Sequence, residues 1–166
     1  MPDAVDQIGA AWRVQRPDVD TSPMQIFGRI SRLARILERE LTDFFRLHGL
    51  ERWEFDVLAT LRRSGNETGL SAGALNKAAM ITSGAITNRL DRLAAKAWVE
   101  RVPDATDRRA IRVHLTDTGR ELVDRLLPLH MDNEQRLLTA LTPEDRETLI
   151  PLLRKFSESL GDLSLD

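Results

Sequence analysis

Residues 111–115 (IRVHL) alternate strictly between apolar and polar side chains, and this run constrains the fold more than any other part of the chain. Alternation with a period of two is typical of a strand that buries one face. Residues 98–102 (WVERV) have the composition of a second strand, and a polar turn that contains Pro103 separates the two. We therefore expect a β-hairpin in a chain whose other patterns are helical.

Elsewhere, apolar residues recur every three or four positions, which is the period of an amphipathic helix. Predicted helices cover residues 3–15, 23–47, 51–63, 71–79 and 83–96, followed by a long helix from 117 and a last helix from 143 to about 160. A Ser, Thr or Asp at a helix start satisfies free backbone N–H groups. The predicted caps are Thr21 or Ser22, Ser71, Thr82 or Ser83, and Thr116 or Asp117. Trp53 and Trp98 are predicted core residues.

Two short helices joined by a tight turn, residues 71–79 and 83–96, have the shape of a helix-turn-helix. The predicted hairpin follows at once, and this order is that of a winged helix. In such a fold the second helix enters the major groove, while the hairpin reaches an adjacent minor groove or the backbone. The predicted fold class is therefore mainly α with a small β wing, a winged helix-turn-helix domain flanked by long helices.

The distribution of charge favours a nucleic-acid partner, although the net charge of the chain is −2. Residues 77–112 contain eight Lys or Arg and four Asp or Glu, a balance of +4. The rest of the chain holds 16 basic and 22 acidic residues, a balance of −6. A basic segment within an acidic protein is typical of a surface that binds a phosphate backbone.

The second short helix can be divided into faces, because each residue turns it by about 100°. The core stripe carries Ile86, Leu90, Leu93 and Ala97. The opposite side carries Ser83, Thr87, Asn88 and Arg92. We predict that these four contact DNA, since short polar groups and arginine suit base edges and phosphates. Arg89 lies at the margin of the core stripe, so it either points inward or is a surface arginine with a buried stem.

Arg108 and Arg109 lie between acidic residues at the predicted hairpin tip. A narrow minor groove concentrates negative potential and attracts an inserted arginine. Asp107 can hold Arg109 or a neighbouring backbone N–H, so that the tip stays ordered. We predict that Asp107, Arg108 and Arg109 contact DNA. The alternative is a tip that is charged only because water surrounds it.

Several classes of function lack the residues that they need. The sequence has no cysteine, which excludes thiolate catalysis and cysteine-ligated zinc, and its three histidines lie far apart. It contains no P-loop, nucleophile elbow or glycine-rich nucleotide fingerprint, so we expect no enzyme, no cofactor and no metal. Because the chain has no apolar run that spans a bilayer and no signal peptide, we expect a cytoplasmic protein without a membrane partner.

Residues 80–122 resemble the winged-helix core of the MarR family of bacterial transcription regulators. The wing pattern of that family, D-x-R-x-x-x-V-x-L-T-x-x-G, corresponds here to Asp107, Arg109, Val113, Leu115, Thr116 and Gly119. The resemblance extends from about Met24 to the end of the chain. It implies a homodimer with interlocked terminal helices and one recognition helix and wing per half-site. It divides the chain into an extra N-terminal helix (1–16), a dimerisation helix (22–50), the DNA-binding core (51–116) and C-terminal dimerisation helices (117–166).

The added N-terminal helix, with the segments WEFDVLATLRR and TSGAITNRLDRLAAK, resembles the branch of the family that responds to urate or trans-aconitate. The ligand residues of that branch correspond here to Trp12, Asp56, Arg63 and Arg89. Asp56 and Arg63 are seven residues apart and so share one helix face. The resemblance leaves urate and a tricarboxylate equally open as ligands. For Trp12, a role as a packing anchor is the alternative.

The sequence therefore predicts a DNA-binding transcription regulator, a homodimeric repressor that a small organic anion releases from a palindromic operator. Two alternatives stay open. One is a repressor of the same family that answers to no ligand. The other is a winged-helix module that docks on a protein instead of DNA.

Overall fold

The computed structural model describes residues 1–65, 69–78, 86–104 and 110–162. The helices in these ranges are α1 (Ala4–Gln15), α2 (Met24–Leu47), α3 (Arg52–Arg63), α4 (Ala72–Ala78), α5 (Ile86–Ala95), α6 (Asp117–Leu137) and α7 (Pro143–Ser159). The strands are β1 (Leu70–Ser71), β2 (Val99–Pro103) and β3 (Ile111–Leu115). The predicted class, mainly α with a small β wing, is confirmed. The chain forms two compact units, Met1–His48 and Gly49–Asp166.

The first unit consists of α1 packed against α2. Asp3 caps α1, because its carboxylate accepts hydrogen bonds from the N–H groups of Val5 (2.8 Å) and Asp6 (2.9 Å). Arg29 of α2 forms ion pairs of 2.9 Å with both Asp3 and Asp6. Val5 is buried beside Gly28, whose missing side chain leaves room for it. The acidic first turn of α1 therefore fixes this helix on α2.

The start of α2 differs from the predicted cap. Pro23 occupies the N-cap position, and among the described residues no side chain makes a capping hydrogen bond there. The Asp20 carboxylate accepts from the Ser22 N–H at 2.9 Å, and the Thr21 carbonyl accepts from the Met24 N–H at 3.1 Å. Proline brings no N–H of its own to a helix start, so one donor fewer needs a partner. The prediction of a Thr or Ser cap is wrong at this helix.

The second unit contains an antiparallel sheet of three strands in the order β1-β3-β2. Strands β2 and β3 pair from Val99 opposite Leu115 to Pro103 opposite Ile111, which confirms the predicted hairpin strands. The alternation of β3 buries Val113, which is 1% exposed. The sequence does not predict β1, because a strand of two residues is too short to show any alternation.

Helices α3 to α6 enclose the core of this unit. The buried apolar residues that they contribute are Phe55, Val57, Leu58, Leu61, Leu75, Leu90, Leu93, Leu122, Val123 and Leu126. The Ser71 hydroxyl caps α4 by accepting from the Ala74 N–H at 3.1 Å, as predicted. The Thr116 hydroxyl caps α6 by accepting from the Gly119 N–H at 3.0 Å. The predicted caps Thr82 and Ser83 lie outside the described residues.

The start of α6 lies directly against the corner between α5 and β2. Thr116 donates its hydroxyl to the Ala97 carbonyl at 2.7 Å and its N–H to the Trp98 carbonyl at 3.2 Å. A Cβ atom on Gly119 would lie 2.0 Å from the Trp98 carbonyl oxygen, so only glycine fits this position. The Thr-x-x-Gly part of the wing pattern thus has a structural cause: the threonine joins the two elements and the glycine allows their close approach.

Apolar side chains of α2 and α7 stay at the surface of this single chain. No residue of α7 is buried, and Leu152 is 59% exposed. In α2, Ile26 is 59% exposed and Leu33 is 54% exposed. The resemblance assigns α2 to dimerisation, and the sequence allows the leucines of α7 a role in a core or in a dimer interface. The structure excludes a core of the single chain for these three residues.

Candidate functional site

Helix α5 is the second helix of the predicted helix-turn-helix, and it presents a polar face. Leu90 and Leu93 are almost completely buried, whereas Thr87 and Asn88 are exposed. An exposed hydroxyl and amide on one helix can donate to or accept from base edges. Four other predicted DNA contacts lie outside the described residues: Ser83, Asp107, Arg108 and Arg109.

Arg92, the arginine of this polar face, is paired with Glu51 at the start of α3. Its Nη2 donates to Glu51 Oε1, and its guanidinium carbon lies 4.9 Å from the centroid of the Trp53 ring. The Trp53 Nε1–H donates to Glu51 Oε2 at 2.6 Å. The bond from Arg92, and to a smaller extent that from Trp53, lowers the pKa of Glu51. The carboxylate is therefore charged at neutral pH.

Arg89 lies at the inner margin of α5, as its angular position predicts. Its guanidinium carbon is 5.2 Å from the centroid of the Trp53 ring. Its Nη1 is buried and has no hydrogen-bond partner among the residues that the structure describes. A buried N–H donor without an acceptor costs free energy, so an anion that reached Arg89 Nη1 would supply a missing acceptor.

Glu54 of α3 is completely buried and forms an ion pair with Lys96, which follows α5. Lys96 Nζ donates to both carboxylate oxygens of Glu54, at 2.6 and 2.8 Å, and lies 4.5 Å from the centroid of the Trp98 ring. The Glu54 carboxylate also accepts from the Glu51 N–H at 2.9 Å. Trp53 and Trp98 are only half-buried and face cations, so their prediction as core residues is wrong.

A second set of ion pairs joins α5 to the hairpin. Arg101 of β2 forms an ion pair of 2.7 Å with Asp91 and donates to the Thr87 carbonyl at 3.1 Å. Across the hairpin, Arg112 of β3 pairs with Asp104, whose side chain is 9% exposed. These contacts hold the recognition helix and the described part of the hairpin in one arrangement.

The ion pairs change the charge that the predicted DNA-binding segment offers. Six of the eight cations in residues 77–112 belong to the described part of the chain, and four of these form ion pairs: Arg92, Lys96, Arg101 and Arg112. Two of their partners, Glu51 and Glu54, lie outside the segment. Counting those two carboxylates reduces the balance from +4 to +2. The count from sequence therefore overstates the positive charge available to DNA.

A cleft between α3 and α6 contains two of the four predicted ligand residues. Asp56 and Arg63 line it, and its volume of about 460 Å³ is in the range of small-molecule sites. Apolar walls come from both helices, for example from Phe55 and Leu127. Arg62 and Asp124, which form an ion pair of 2.8 Å, and His130 line the same cleft, so the geometry provides an apolar space with several charged groups.

Arg63 connects this cleft to the helix-turn-helix. Its Nη2 donates to the Ala78 carbonyl at the C-terminal end of α4. The last carbonyls of a helix lack partners within the helix and carry partial negative charge, so a guanidinium suits this position. A further cavity of about 630 Å³ lies on the α4 side, lined by Arg63 and Lys77 among others. One side chain thus borders two cavities and holds the end of α4.

The other two predicted ligand residues lie elsewhere. Arg89 does not line the cleft between α3 and α6. Trp12 lies on α1 in the first unit, where its side chain is 46% exposed. The structure brings Asp56 and Arg63 to one cleft. The ligand-binding role of all four residues stays a prediction. The described ranges contain no group of three or more side chains arranged to hold a metal ion, and none of their helices could cross a membrane.

The sheet, the helix-turn-helix pair and the polar face of α5 define a winged-helix regulator that binds DNA. The sequence profile of the MarR family matches residues 48–110. The HTH-type transcriptional regulator PecS of Dickeya dadantii (strain 3937) is 37% identical over 156 residues, which cover 94% of each chain. This chain belongs to the MarR family of transcription regulators. The relatives that it matches are named as transcription regulators and not as enzymes.

Solved structures agree with this assignment. A mutant form of MarR from E. coli in complex with operator DNA has a TM-score of 0.65 and 29% identity, over 79% of this chain and 97% of that chain. The structure of BpsR from Bordetella bronchiseptica, which describes regulation of its DNA binding by 6-hydroxynicotinic acid, has a TM-score of 0.70 and 27% identity. That match covers 80% of this chain and 92% of BpsR.

Proposed function

We propose that this protein is a homodimeric repressor that a small organic anion, similar to urate or aconitate, releases from a palindromic operator. The observation that carries the proposal is the position of Arg63. Its side chain lines the cleft and at the same time donates to the Ala78 carbonyl at the end of α4. An anion that pairs with Arg63 therefore acts directly on the first helix of the helix-turn-helix.

The polar face of α5 supports direct contact with an operator. Thr87 and Asn88 are exposed there, and the half-exposed Arg92 follows one turn later. We assign base and phosphate contacts to these three residues, together with Ser83. The wing contacts are assigned to Asp107, Arg108 and Arg109 on the sequence pattern alone. The structure of E. coli MarR with operator DNA is consistent with this use of the fold.

The exposed apolar faces of α2 and α7 support a homodimer. Side chains such as Ile30, Leu149 and Leu153 are between 38% and 49% exposed in the single chain. An exposed apolar helix face of this kind marks an interaction site. We propose that a second copy of the chain covers these faces, because a palindromic operator needs two recognition helices.

Two arginines support an anionic ligand. Guanidinium groups bind carboxylates and urate-like oxygens with paired hydrogen bonds. Arg63 faces the cleft, and Arg89 has a buried donor with no acceptor in the described part of the chain. Asp56, in the same cleft as Arg63, would be repelled by the bound anion. BpsR, whose DNA binding is regulated by 6-hydroxynicotinic acid, provides a precedent among structural neighbours for an organic acid as effector.

The proposed mechanism is a competition for Arg63. When the anion pairs with Arg63, the guanidinium leaves the Ala78 carbonyl and α4 loses a contact that fixes its end. The helix-turn-helix then shifts, and the spacing of the two recognition helices no longer fits the duplex. Anion and DNA are therefore negatively coupled, and each weakens the binding of the other by the same factor.

The test is release of a duplex that carries the promoter region of the protein's own gene, titrated with urate, trans-aconitate, citrate and salicylate. We expect one of these anions to release the duplex. Arg63→Gln removes the charge but keeps an amide donor, so it should bind the duplex and require at least about tenfold more anion for release. Arg89→Ala should weaken the response in the same direction. Arg125→Ala, an exposed arginine of α6, is the matched control and should respond normally.

The other outcomes would each support a different interpretation of the function. A full response in Arg63→Gln would contradict the proposed site. Tight DNA binding that no anion relieves would identify a repressor of the same family that answers to no ligand. Failure of the wild-type protein to bind any duplex would favour a winged-helix module that docks on protein.

A further inference from the structure

Residues 51–54, at the start of α3, contact cations of α5 and of the residue Lys96 that follows it. Residues 86–104 contain four cations, and each contacts a carboxylate or an indole ring of this chain: Arg89, Arg92, Lys96 and Arg101. Three of the four contact the short segment from Glu51 to Glu54. Each of these cations must therefore give up an internal partner before it can pair fully with a phosphate.

Among these four cations, Arg101 also pairs with an exposed carboxylate, Asp91, but the predicted DNA contact is Arg92. Its side chain is 47% exposed and that of Glu51 is 54% exposed, so water surrounds much of the pair. Pairs of this kind contribute little free energy and break readily. The partner of Lys96, by contrast, is the completely buried Glu54. A phosphate placed beside α5 can thus take Arg92 from Glu51 at small cost.

We infer that Glu51 competes with DNA phosphate for Arg92, so that it withholds that cation from non-specific DNA and lowers the affinity of the protein for every duplex. The inference rests on the proposed contact between α5 and DNA. Non-specific binding arises from cations that neutralise phosphates, so every cation held internally weakens it. At the operator, base contacts hold α5 in a fixed position, and Arg92 can then exchange Glu51 for a phosphate or a base edge.

Trp53 orients the two side chains of this ion pair, Glu51 and Arg92. Its Nε1–H donates to Glu51 Oε2 and leaves Oε1 for Arg92, while its ring lies against the same guanidinium. The indole therefore orients both members of the pair. Trp53→Phe keeps the ring face but removes the N–H donor, and it should change DNA binding in the same direction as loss of the Glu51 charge, to a smaller extent.

The experiment compares two duplexes of equal length, one with the promoter region of the protein's own gene and one of random sequence, over a range of salt concentrations. In Glu51→Gln we expect about two- to fivefold tighter binding of the random duplex. This factor corresponds to the free energy of an exposed ion pair. The slope of the logarithm of its binding constant against the logarithm of the salt concentration should steepen by about 0.9. This is the change expected for one added phosphate contact. Promoter binding should tighten at least as much, because the same pair breaks there, but the salt slope for the promoter should stay close to that of the wild-type protein, since Arg92 already contacts that duplex.

Glu121→Gln is the matched control, because Glu121 is exposed on α6 and carries the same charge. It should leave both affinities and both slopes close to those of the wild-type protein. Urea unfolding of each variant confirms that the fold is retained. A purely structural role of Glu51 would weaken both duplexes together and would not steepen a salt slope.

Arg92→Gln provides a test that does not depend on Glu51 variants. If Arg92 is withheld from non-specific DNA, this change weakens promoter binding and leaves the slope for the random duplex unchanged. In the double variant, Arg92→Gln should also abolish the gain that Glu51→Gln confers on the random duplex.

Two results would overturn the inference. One is a Glu51→Gln variant that is folded and binds the random duplex no more tightly than the wild-type protein. The other is an Arg92→Gln variant that loses the same salt slope on both duplexes, since Arg92 would then be a free phosphate contact. A wild-type protein that binds neither duplex would contradict the proposed function itself, and is distinguishable from both results.

Discussion

At the first turn of α6, Gly119 passes so close to the Trp98 carbonyl that any side chain would collide with it. The distance from an added Cβ to that oxygen is 2.0 Å, and the atom it meets belongs to the backbone and cannot turn aside. Gly119→Ala should therefore lower the free energy of unfolding by about 1–3 kcal/mol, the usual cost of overpacking. Urea unfolding followed by circular dichroism measures this change.

Gly73 provides the control for that prediction. In α4, an added Cβ at Gly73 would meet nothing closer than the Ser71 hydroxyl at 4.0 Å. Gly73→Ala should change stability by less than about 1 kcal/mol, because alanine only restricts the unfolded chain and favours the helix. Equal losses in the two variants would show that contact with Trp98 is not the cause.

At the scale of residues, the sequence predicts the faces of α5 but not the partners of its cations. Helical angles place Arg89 at the inner margin and Thr87 outside, and the structure agrees. The pairs of Arg92 and Lys96 join residues 41 and 42 positions apart, which no local spacing reveals. Trp53 and Trp98 mislead because an indole has an apolar body suited to a core and a π-face suited to a cation.

At the scale of elements, the pair of Glu54 and Lys96 joins the start of α3 to the residue after α5. Glu54 is completely buried, and Lys96 is its partner in an ion pair of 2.6 Å. Lys96→Met should lower the free energy of unfolding by about 2 kcal/mol, less than for a fully buried pair, because Lys96 is 37% exposed. Urea unfolding of Lys96→Met, Glu54→Gln and the double variant forms a cycle, in which the double variant should lose less than the two single losses together.

Lys77→Met, which removes an exposed lysine of α4, is the control for the same cycle and should leave stability nearly unchanged. Strictly additive losses in the cycle would refute the pairing of Glu54 with Lys96.

The long elements follow from periodicity, since helices of 12 or more residues repeat their apolar pattern several times. Short or irregular features do not. Strand β1 has two residues, and its existence depends on the pairing of Leu70 with Val113 of a distant segment. The start of α2 contains threonine and serine, which favour a cap, but the aspartate before them forms the turn and Pro23 takes the cap position.

At the scale of the whole molecule, the apolar face of α7 requires a partner. Leu152 is 59% exposed in the single chain, and Leu152→Glu places a charge in the proposed dimer interface. We expect a shift from dimer to monomer in light scattering, together with at least about tenfold weaker binding of the promoter duplex, since half of the contacts to a palindrome are lost. Lys155→Glu, on an exposed position of the same helix, should remain dimeric. A Leu152→Glu protein that stays dimeric would exclude this face from the interface.

A single sequence cannot separate a core from a dimer interface, because both require the same apolar stripe. The leucines of α6 and α7 show similar periodicity, yet Leu122 and Leu126 are buried within the chain and Leu152 is not. Burial depends on which surfaces the fold brings together. The predicted ligand residues illustrate the same limit: helix geometry places Asp56 and Arg63 on one face, whereas the bond from Arg63 to α4 depends on tertiary structure.

The junction of α6 with the corner at Ala97 and Trp98 has a mechanical consequence. From Asp117 to Leu127, before the interior Pro128, α6 forms a rod of about 16 Å, fixed at one end by Thr116 and Gly119 to the backbone that joins α5 to β2. A tilt of about 5° about that end moves the far end of the rod by about 1.5 Å. Conversely, a small displacement far along α6 becomes a rotation at the corner. The recognition helix and the hairpin share this pivot, so they turn together when α6 tilts.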